Sequence, residues 1–202
     1  HLSIVKFLCN LKCVDPSFED NLAICVAAEN GHLEIVKFLA SLECVDPSAD
    51  DNYAIRAASN HGHLKIVKFL SSLECVDPST DDNYPIVYAA NGGHLETVKF
   101  LSSLECVDPA DCGNVAIYRA AYNGHLETVK FLASLECVDP TDCDNRAIRR
   151  AIENGHTRVV EFLMKFTLVS CCPILIKKLS IKRRSHSVVK NDDGCIHYAL
   201  RE

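Results

Sequence analysis

The chain consists largely of close copies of one 31-residue unit, and this repetition constrains its fold more than any other feature. An asparagine recurs at one position of the unit, namely Asn21, Asn52, Asn83, Asn114 and Asn145. A histidine recurs in the same register, at His1, His32, His63, His94, His125 and His156. A fixed period of about 20–50 residues is typical of solenoids, in which each unit packs on its neighbours. We therefore predict a stack of repeats.

Each unit begins with a segment that predicts a short first helix of eight or nine residues. In the copy that starts at Asn52, Ile55, Ala58, Ser59 and Gly62 recur at the spacing of one helical face. Small residues on that face allow a second helix to approach closely. We expect Asn52 to cap the start of the helix and Gly62 to end it in a left-handed conformation.

A second amphipathic segment follows the Gly-His pair, with a wider apolar face. In one copy this face consists of Leu95, Val98, Phe100, Leu101 and Leu104. The sequence Glu-Cys-Val-Asp-Pro then ends the segment, because proline cannot continue a helix and favours an extended residue before it. Each unit is thus predicted to be helix, turn, helix and extended connector.

The segment 27–34, Ala-Ala-Glu-Asn-Gly-His-Leu-Glu, resembles the ankyrin repeat, and the resemblance recurs over roughly residues 1–166. Two features depart from the family pattern: Tyr53-Ala-Ile-Arg56 replaces Thr-Pro-Leu-His, and the period is shorter than about 33 residues. The resemblance implies an all-α ankyrin-type solenoid with short connectors or reduced β-hairpin fingers. A tetratricopeptide-like helical array is the alternative, although the Val-Asp-Pro connector and the missing Trp and Tyr signature argue against it.

The period also predicts the organisation of the chain. An ankyrin-repeat array covers 1–166, with a partial repeat at 1–20 followed by five copies that begin at Asn21, Asn52, Asn83, Asn114 and Asn145. A basic insertion at 167–192 interrupts the period, and 193–202 matches the start of a further truncated repeat. We expect the sequence to be a fragment of a longer array.

Charge is distributed unevenly between the array and the insertion. Residues 1–170 carry 14 Lys and Arg against 24 Asp and Glu, whereas residues 171–202 carry 7 against 3. An acidic array disfavours nonspecific nucleic-acid binding by its body. The region 173–190 could instead act as a nuclear-import signal or contact nucleic acid or an anionic membrane; a solvated basic segment covering the stack is the simpler interpretation. Its basic residues are Lys177, Lys178, Lys182, Arg183, Arg184 and Lys190.

The twelve cysteines do not indicate a disulfide scaffold. Five of them occupy one position of successive units, about 8–10 Å apart if the units stack, whereas a disulfide requires Cα atoms within about 7 Å. We predict a ladder of buried, reduced thiols, formed by Cys13, Cys44, Cys75, Cys106 and Cys137. Cys112 and Cys143 are predicted to be surface thiols, with metal binding or oxidation as the alternative. Unpaired thiols in this number favour a reducing, cytoplasmic compartment, with the nucleus also possible.

The candidate binding surface lies on the first helices, on the side opposite the small-residue face. The resemblance implies that this side and the connector tips form a concave binding surface. Tyr and Arg are enriched there, and both are common at binding hot spots. The predicted partner-binding residues are Tyr53, Arg56, Tyr84, Tyr88, Asn91, Tyr118, Arg119, Tyr122, Arg146, Arg149 and Arg150. A solvated groove that binds nothing is the competing interpretation.

The sequence favours a protein-interaction scaffold that binds a partner with an acidic or mixed acidic–aromatic segment, because guanidinium groups favour carboxylates. The alternative function is tethering to nucleic acid or an anionic membrane through the basic insertion. The sequence contains no Gly-rich phosphate loop, no nucleophile paired with a base and no closely spaced metal ligands. We therefore predict no enzymatic activity, no cofactor, no metal and no small-molecule substrate.

Overall fold

A computed structural model of the chain describes residues 1–167, together with the backbone of residues 189–190 and 196–197. Within residues 1–167 the chain forms eleven helices, and no residue there lies in a strand. In chain order the helices are α1 Leu2–Cys9, α2 Phe18–Glu29, α3 Leu33–Ala40, α4 Ala49–Asn60, α5 Leu64–Leu70, α6 Thr80–Asn91, α7 Leu95–Leu101, α8 Asp111–Tyr122, α9 Leu126–Leu132, α10 Asp142–Glu153 and α11 Thr157–Leu163. The predicted helical repeat fold is confirmed for this part of the chain.

The helices form two layers. In one layer the first helix of each copy packs on the first helix of the next, in the order α2, α4, α6, α8 and α10. In the other layer the odd-numbered second helices, from α1 to α11, pack on one another in the same way. Ile55 and Ala58 of α4 are buried, as are Val98 and Leu101 of α7. The core therefore lies between the layers, where the predicted apolar faces of the two helices meet.

The recurring asparagine does not cap its own helix, contrary to the prediction from sequence. In copy two the residues Asp50, Asp51 and Asn52 all have left-handed dihedral angles inside α4, and Ser48, not Asn52, takes the N-cap position. Its Oδ1 instead accepts a hydrogen bond from the backbone N–H of Asp77 in the next connector, at 2.9 Å. The left-handed turn directs the side chain away from its own helix, so this asparagine joins successive copies.

The recurring histidine also joins neighbouring copies, a role beyond the turn position predicted for it. The His94 ring lies on Gly62 of the preceding copy, and its Nε2 lies 3.0 Å from the Asn60 carbonyl oxygen. A Cβ at residue 62 would overlap this ring. Gly62 also has a φ of +70°, as expected for a residue that ends its helix in the left-handed region. Glycine is thus required there by both conformation and space.

The connectors are tight turns. In the connector before copy two, Asp46 Oδ1 accepts hydrogen bonds from the backbone N–H and the hydroxyl of Ser48. The same Asp–Ser or Asp–Thr pairing recurs at Asp15, Asp77 and Asp139. Because no residue of 1–167 forms a strand, the array has the short connectors and not the reduced β-hairpin fingers, the two alternatives that the resemblance implies.

The cysteine ladder is exposed, so the prediction of buried thiols is wrong. Cys13, Cys44, Cys75, Cys106 and Cys137 all face solvent. The neighbouring valine takes the buried position instead, as Val45 does beside Cys44. The sequence pattern fixes one inward-facing residue in each connector but does not distinguish between two adjacent apolar residues.

At the N-terminal side of the described array, α1 exposes Ile4, Phe7 and Leu8. In the C-terminal part of the chain, strands β1 Val189–Lys190 and β2 Ile196–His197 pair antiparallel. The backbone at Ile196–His197 is therefore extended, although the rest of the repeat predicted at 193–202 lies outside the described residues. The predicted basic insertion at 167–192 also lies outside them, apart from Thr167 and the β1 backbone.

No described helix is long and apolar enough to cross a bilayer.

Candidate partner-binding surface

The eleven predicted binding residues, called here the tyrosine–arginine stripe, lie on successive first helices α4, α6, α8 and α10. Their exposure differs. The exposed members are Tyr53, Tyr84, Arg119, Tyr122, Arg149 and Arg150; the half-buried members are Arg56, Tyr88, Asn91 and Arg146. Tyr118 is buried, with 8% of its surface exposed. The stripe therefore combines side chains that reach solvent with side chains that are partly or fully buried in the array.

Tyr118 is the centre of a cluster of cationic and aromatic side chains. The Arg146 guanidinium carbon lies 4.0 Å from the centroid of its ring, and that of Arg119 lies 5.4 Å away. Tyr122 meets the same ring edge-on at 6.4 Å. A guanidinium held near an aromatic ring keeps its charge and its N–H donors while losing rotational freedom. The two arginines are thus preorganised donors for an anionic group.

Tyr84 and Tyr88 form a second aromatic pair on α6. Their ring centroids are 5.3 Å apart, with the planes tilted by 56°. The two residues are one helical turn apart, so they project from the same side of the helix. Contact between the rings restricts both side chains, which lowers the entropy lost when a partner covers them.

Two of the predicted arginines are engaged within the stack. Arg56 donates to Asp81 Oδ2 at 3.1 Å and to the Asp50 carbonyl oxygen at 3.0 Å, so it joins α4 to the next connector. Arg149 Nη2 donates to the Cys143 carbonyl oxygen at 3.0 Å. Both arginines donate to the left-handed turn near the start of their own helix, a contact that the helical periodicity does not predict.

Arg150 is paired with an acid on its own helix. Its Nη1 lies 2.7 Å from Glu153 Oε2, and hydrogen bonding and charge from Glu153 raise the pKa of Arg150. Within residues 1–167, Arg119 and Arg146 form no ion pair with an acidic side chain. Arg149 has no acidic partner there either, but it donates to a carbonyl oxygen, so Arg119 and Arg146 are the stripe arginines with neither an acidic nor a carbonyl acceptor in this part of the chain.

Asn91 lies at the join between copies three and four. Its Oδ1 accepts a hydrogen bond from Asn123 Nδ2 at 2.9 Å, and its carbonyl oxygen lies 3.0 Å from His125 Nε2. These contacts fix the C-terminal end of α6 against the next copy. The side chain has less freedom to meet a partner than its predicted position suggests.

An apolar patch at the first copy was not among the predicted binding residues. It consists of Phe18, Leu22 and Val26, which are 67%, 46% and 45% exposed. Leu22 and Val26 are separated by one turn of α2, at the same positions of the unit as Tyr84 and Tyr88 of α6. The i, i+4 spacing of two aliphatic residues on the outward side of a helix is the sequence signal that identifies this patch.

A comparison with protein-family models identifies the repeat. The model described as ankyrin repeats, in three copies, matches residues 1–82, 54–142 and 86–168. The chain belongs to the ankyrin-repeat family. Ankyrin repeats are generic protein–protein interaction modules, and the ankyrin assignment is confirmed over the tetratricopeptide alternative. The chain matches no curated protein.

The acidic residues at the connector tips of this ankyrin array have structural partners. Asp111 Oδ2 accepts a hydrogen bond from Asn83 Nδ2 at 2.6 Å, and Asp142 Oδ2 accepts one from Asn114 Nδ2 at 2.8 Å. Hydrogen bonds from the Asn114 side chain and the Cys143 backbone lower the pKa of Asp142. These two acids therefore join successive copies through hydrogen bonds.

Among residues 1–167, one group of potential metal ligands lies at the starts of α6 and α8. Single ligand atoms of Asp82, Asp111 and Cys112 all lie within 4.8 Å of one another. Desolvation and the two nearby carboxylates raise the pKa of the Cys112 thiol. A raised pKa lowers the thiolate fraction at neutral pH, so a metal that bound Cys112 would have to displace the thiol proton.

Proposed function

We propose that this ankyrin array is a scaffold that binds a partner protein through the tyrosine–arginine stripe, and that the stripe lines its concave groove. The observation that carries the proposal is the cluster of Arg119 and Arg146 around Tyr118. Two arginines are held by an aromatic ring, and neither has an acidic partner among residues 1–167. Membership of a family of protein-interaction modules supports the same conclusion.

The chemistry of the cluster defines the partner. A guanidinium presents paired N–H donors that match the two oxygens of a carboxylate, and a stacked guanidinium loses little further freedom on binding. The exposed Tyr84 and Tyr122 rings offer a large contact area beside these donors. The docking segment of the partner is therefore acidic or mixed acidic and aromatic.

The charge of the array opposes a polyanionic partner. Residues 1–170 carry ten more acidic than basic side chains, so a nucleic acid would be repelled by most of the surface. A short acidic segment reaches the cluster without covering the acidic connector tips. The protein acts without catalysis, in the reducing cytoplasm or nucleus.

The test compares alanine variants of the stripe with a matched variant of the second-helix layer. Lys99 lies on α7 and pairs with Glu96 at 2.8 Å, so Lys99→Ala removes an exposed charge outside the stripe. Once a partner is isolated, Tyr88→Ala and Arg119→Ala should each weaken binding by about 2 kcal/mol or more, roughly thirtyfold. Lys99→Ala should leave affinity unchanged, and all three should retain the native circular dichroism spectrum. Loss of binding in Lys99→Ala with unchanged affinity in the other two variants would refute the proposal.

A further inference from the structure

We propose that the array recognises its partner at two subsites: the apolar patch takes a bulky apolar side chain, and the Arg119–Arg146 pair takes an acidic one. This inference rests on the proposed function and specifies the partner further. The patch consists of Phe18, Leu22 and Val26 on α2, while the arginines lie on α8 and α10.

Exposure of Leu22 is shared by later copies. Tyr53 and Tyr84 occupy the same position as Leu22, and they are 38% and 37% exposed although a preceding copy packs on each of their helices. At the position one helical turn further along, exposure depends on the residue, because Arg119 is exposed whereas Ala57 is buried. The larger side chains on the outward side of the first helices therefore reach solvent, and the chemistry of this side is set by the residues of each copy.

The chemistry of this outward side changes along the stack. It is aliphatic at Leu22 and Val26 and aromatic at Tyr84 and Tyr88. It becomes cationic at Arg119 and Arg146. Covering the solvent-exposed apolar side chains of the first copy with a partner lowers the free energy of the complex. A partner that carried acidic residues alone would use the arginines and leave the aliphatic end exposed.

The separation of the subsites follows from helix packing. The helices α2, α4, α6 and α8 pack in series. Packed helices lie about 8–10 Å apart, so three steps separate the subsites by about 24–30 Å. An extended segment rises about 3.3 Å per residue and covers this span in about seven to nine residues. The partner segment thus carries a bulky apolar residue and a carboxylate about seven to nine residues apart.

The test uses a phage-displayed library of random 16-residue peptides, selected on the immobilised 202-residue chain. Enriched peptides should share a bulky apolar residue and an Asp or Glu at this spacing. One enriched peptide, labelled with fluorescein, is then titrated with the native chain and with Leu22→Ser, Val26→Thr, Tyr88→Ala, Arg119→Gln and Lys99→Ala. Circular dichroism checks each fold, and Val26→Thr, which keeps side-chain size, provides a second variant of the patch.

Leu22→Ser should weaken binding of the labelled peptide about tenfold, because an aliphatic contact is lost. Replacing the apolar residue of the peptide with Ala should cause a similar loss of affinity for the native chain. The same replacement should cause little further loss of affinity for the Leu22→Ser variant, because the contact is already absent there. Arg119→Gln should weaken binding through the acidic residue, and Lys99→Ala should have no effect.

The possible failures are distinguishable. Binding that depends on Arg119 but is unchanged by both patch variants would overturn the two-subsite inference and leave the proposed function standing. Enriched peptides with acidic residues and no shared apolar residue would do the same. Binding unaffected by Arg119→Gln and by Tyr88→Ala would overturn both, as would a selection that enriches no peptide dependent on these residues.

Discussion

Asn83 Oδ1 accepts a hydrogen bond from the backbone N–H of Asp108, which lies 2.9 Å away in the next connector. Asn21, Asn52 and Asn114 make the same bond to the residue 25 positions further along the chain. By contrast, Asn145 Oδ1 is buried and has no hydrogen-bond partner among the described residues. Within the part of the chain that the structure describes, the copies thus contain both the bonded and the unbonded form of one side chain.

This difference makes a controlled prediction about stability. Asn83→Ala should lower the free energy of unfolding by about 1–3 kcal/mol more than Asn145→Ala, because it leaves the connector N–H without its acceptor and the Asp111 carboxylate without the Asn83 Nδ2 donor. Both residues have a φ of 60°, so the backbone cost of alanine is shared and cancels in the comparison. Urea unfolding of the two variants measures the difference; equal losses would show that the bond does not stabilise the stack.

Ser59 predicts a stabilising substitution. Its hydroxyl is fully buried and has no hydrogen-bond partner among the described residues, whereas other copies have Ala28, Ala90 and Ala121 at this position. Ser59→Ala should raise the free energy of unfolding by about 1 kcal/mol, since it removes an unsatisfied polar group. The reciprocal change Ala90→Ser should lower it by a similar amount. Thermal unfolding of both variants tests this, and a destabilised Ser59→Ala would mean that the hydroxyl contributes a bond.

The left-handed turns predict opposite effects of two substitutions at equivalent positions. Gly113 and Asp144 both precede the recurring asparagine, with φ of 72° and 55°. Gly113→Ala should lower stability by about 1–2 kcal/mol, because a Cβ is disfavoured in this region. Asp144→Gly should raise it by about 0.5 kcal/mol for the same reason. Chemical unfolding measures both, and a stabilised Gly113→Ala would contradict the turn geometry.

The cysteines predict a pattern of thiol reactivity in the native protein. The exposed ladder thiols, such as Cys44 and Cys75, should react quickly with a disulfide reagent. Cys25 should not react, because burial, with a smaller contribution from Asp50, raises its pKa to about 11. Mass spectrometry after brief labelling at neutral pH identifies the modified residues. Rapid labelling of Cys25, or protection of Cys44 and Cys75, would contradict the structure.

Periodicity predicted the features of the fold that every copy shares. It identified the two helices, the inward Ile55 and Ala58, and the glycine turn, because identical interfaces require identical residues. It misassigned the role of Asn52, which depends on the left-handed turn. It also misassigned the burial of the cysteine ladder, which depends on which connector residue points inward. A helical pattern predicts neither the turn nor the direction of a connector side chain.

The candidate surface was predicted only in part, because helical spacing places residues on a helix but does not determine their contacts with the next copy. Helical spacing placed Tyr84, Tyr88 and Arg119 on the first helices. It did not show that Arg56 is tied to Asp81 or that Tyr118 is buried, because these contacts form between copies. Side-chain partners across a repeat interface depend on the residues that differ among copies, and the period carries no information about them.

The most direct test of the account is the hydrogen–deuterium exchange footprint of a bound partner on the native 202-residue chain. The account predicts slower amide exchange on binding in the first helices α6, α8 and α10, which carry most of the tyrosine–arginine stripe. Exchange in the second helices α7 and α9 should be unchanged. Protection confined to α7 and α9, with the first helices unaffected, would show that the partner binds the opposite layer and would contradict the central claim.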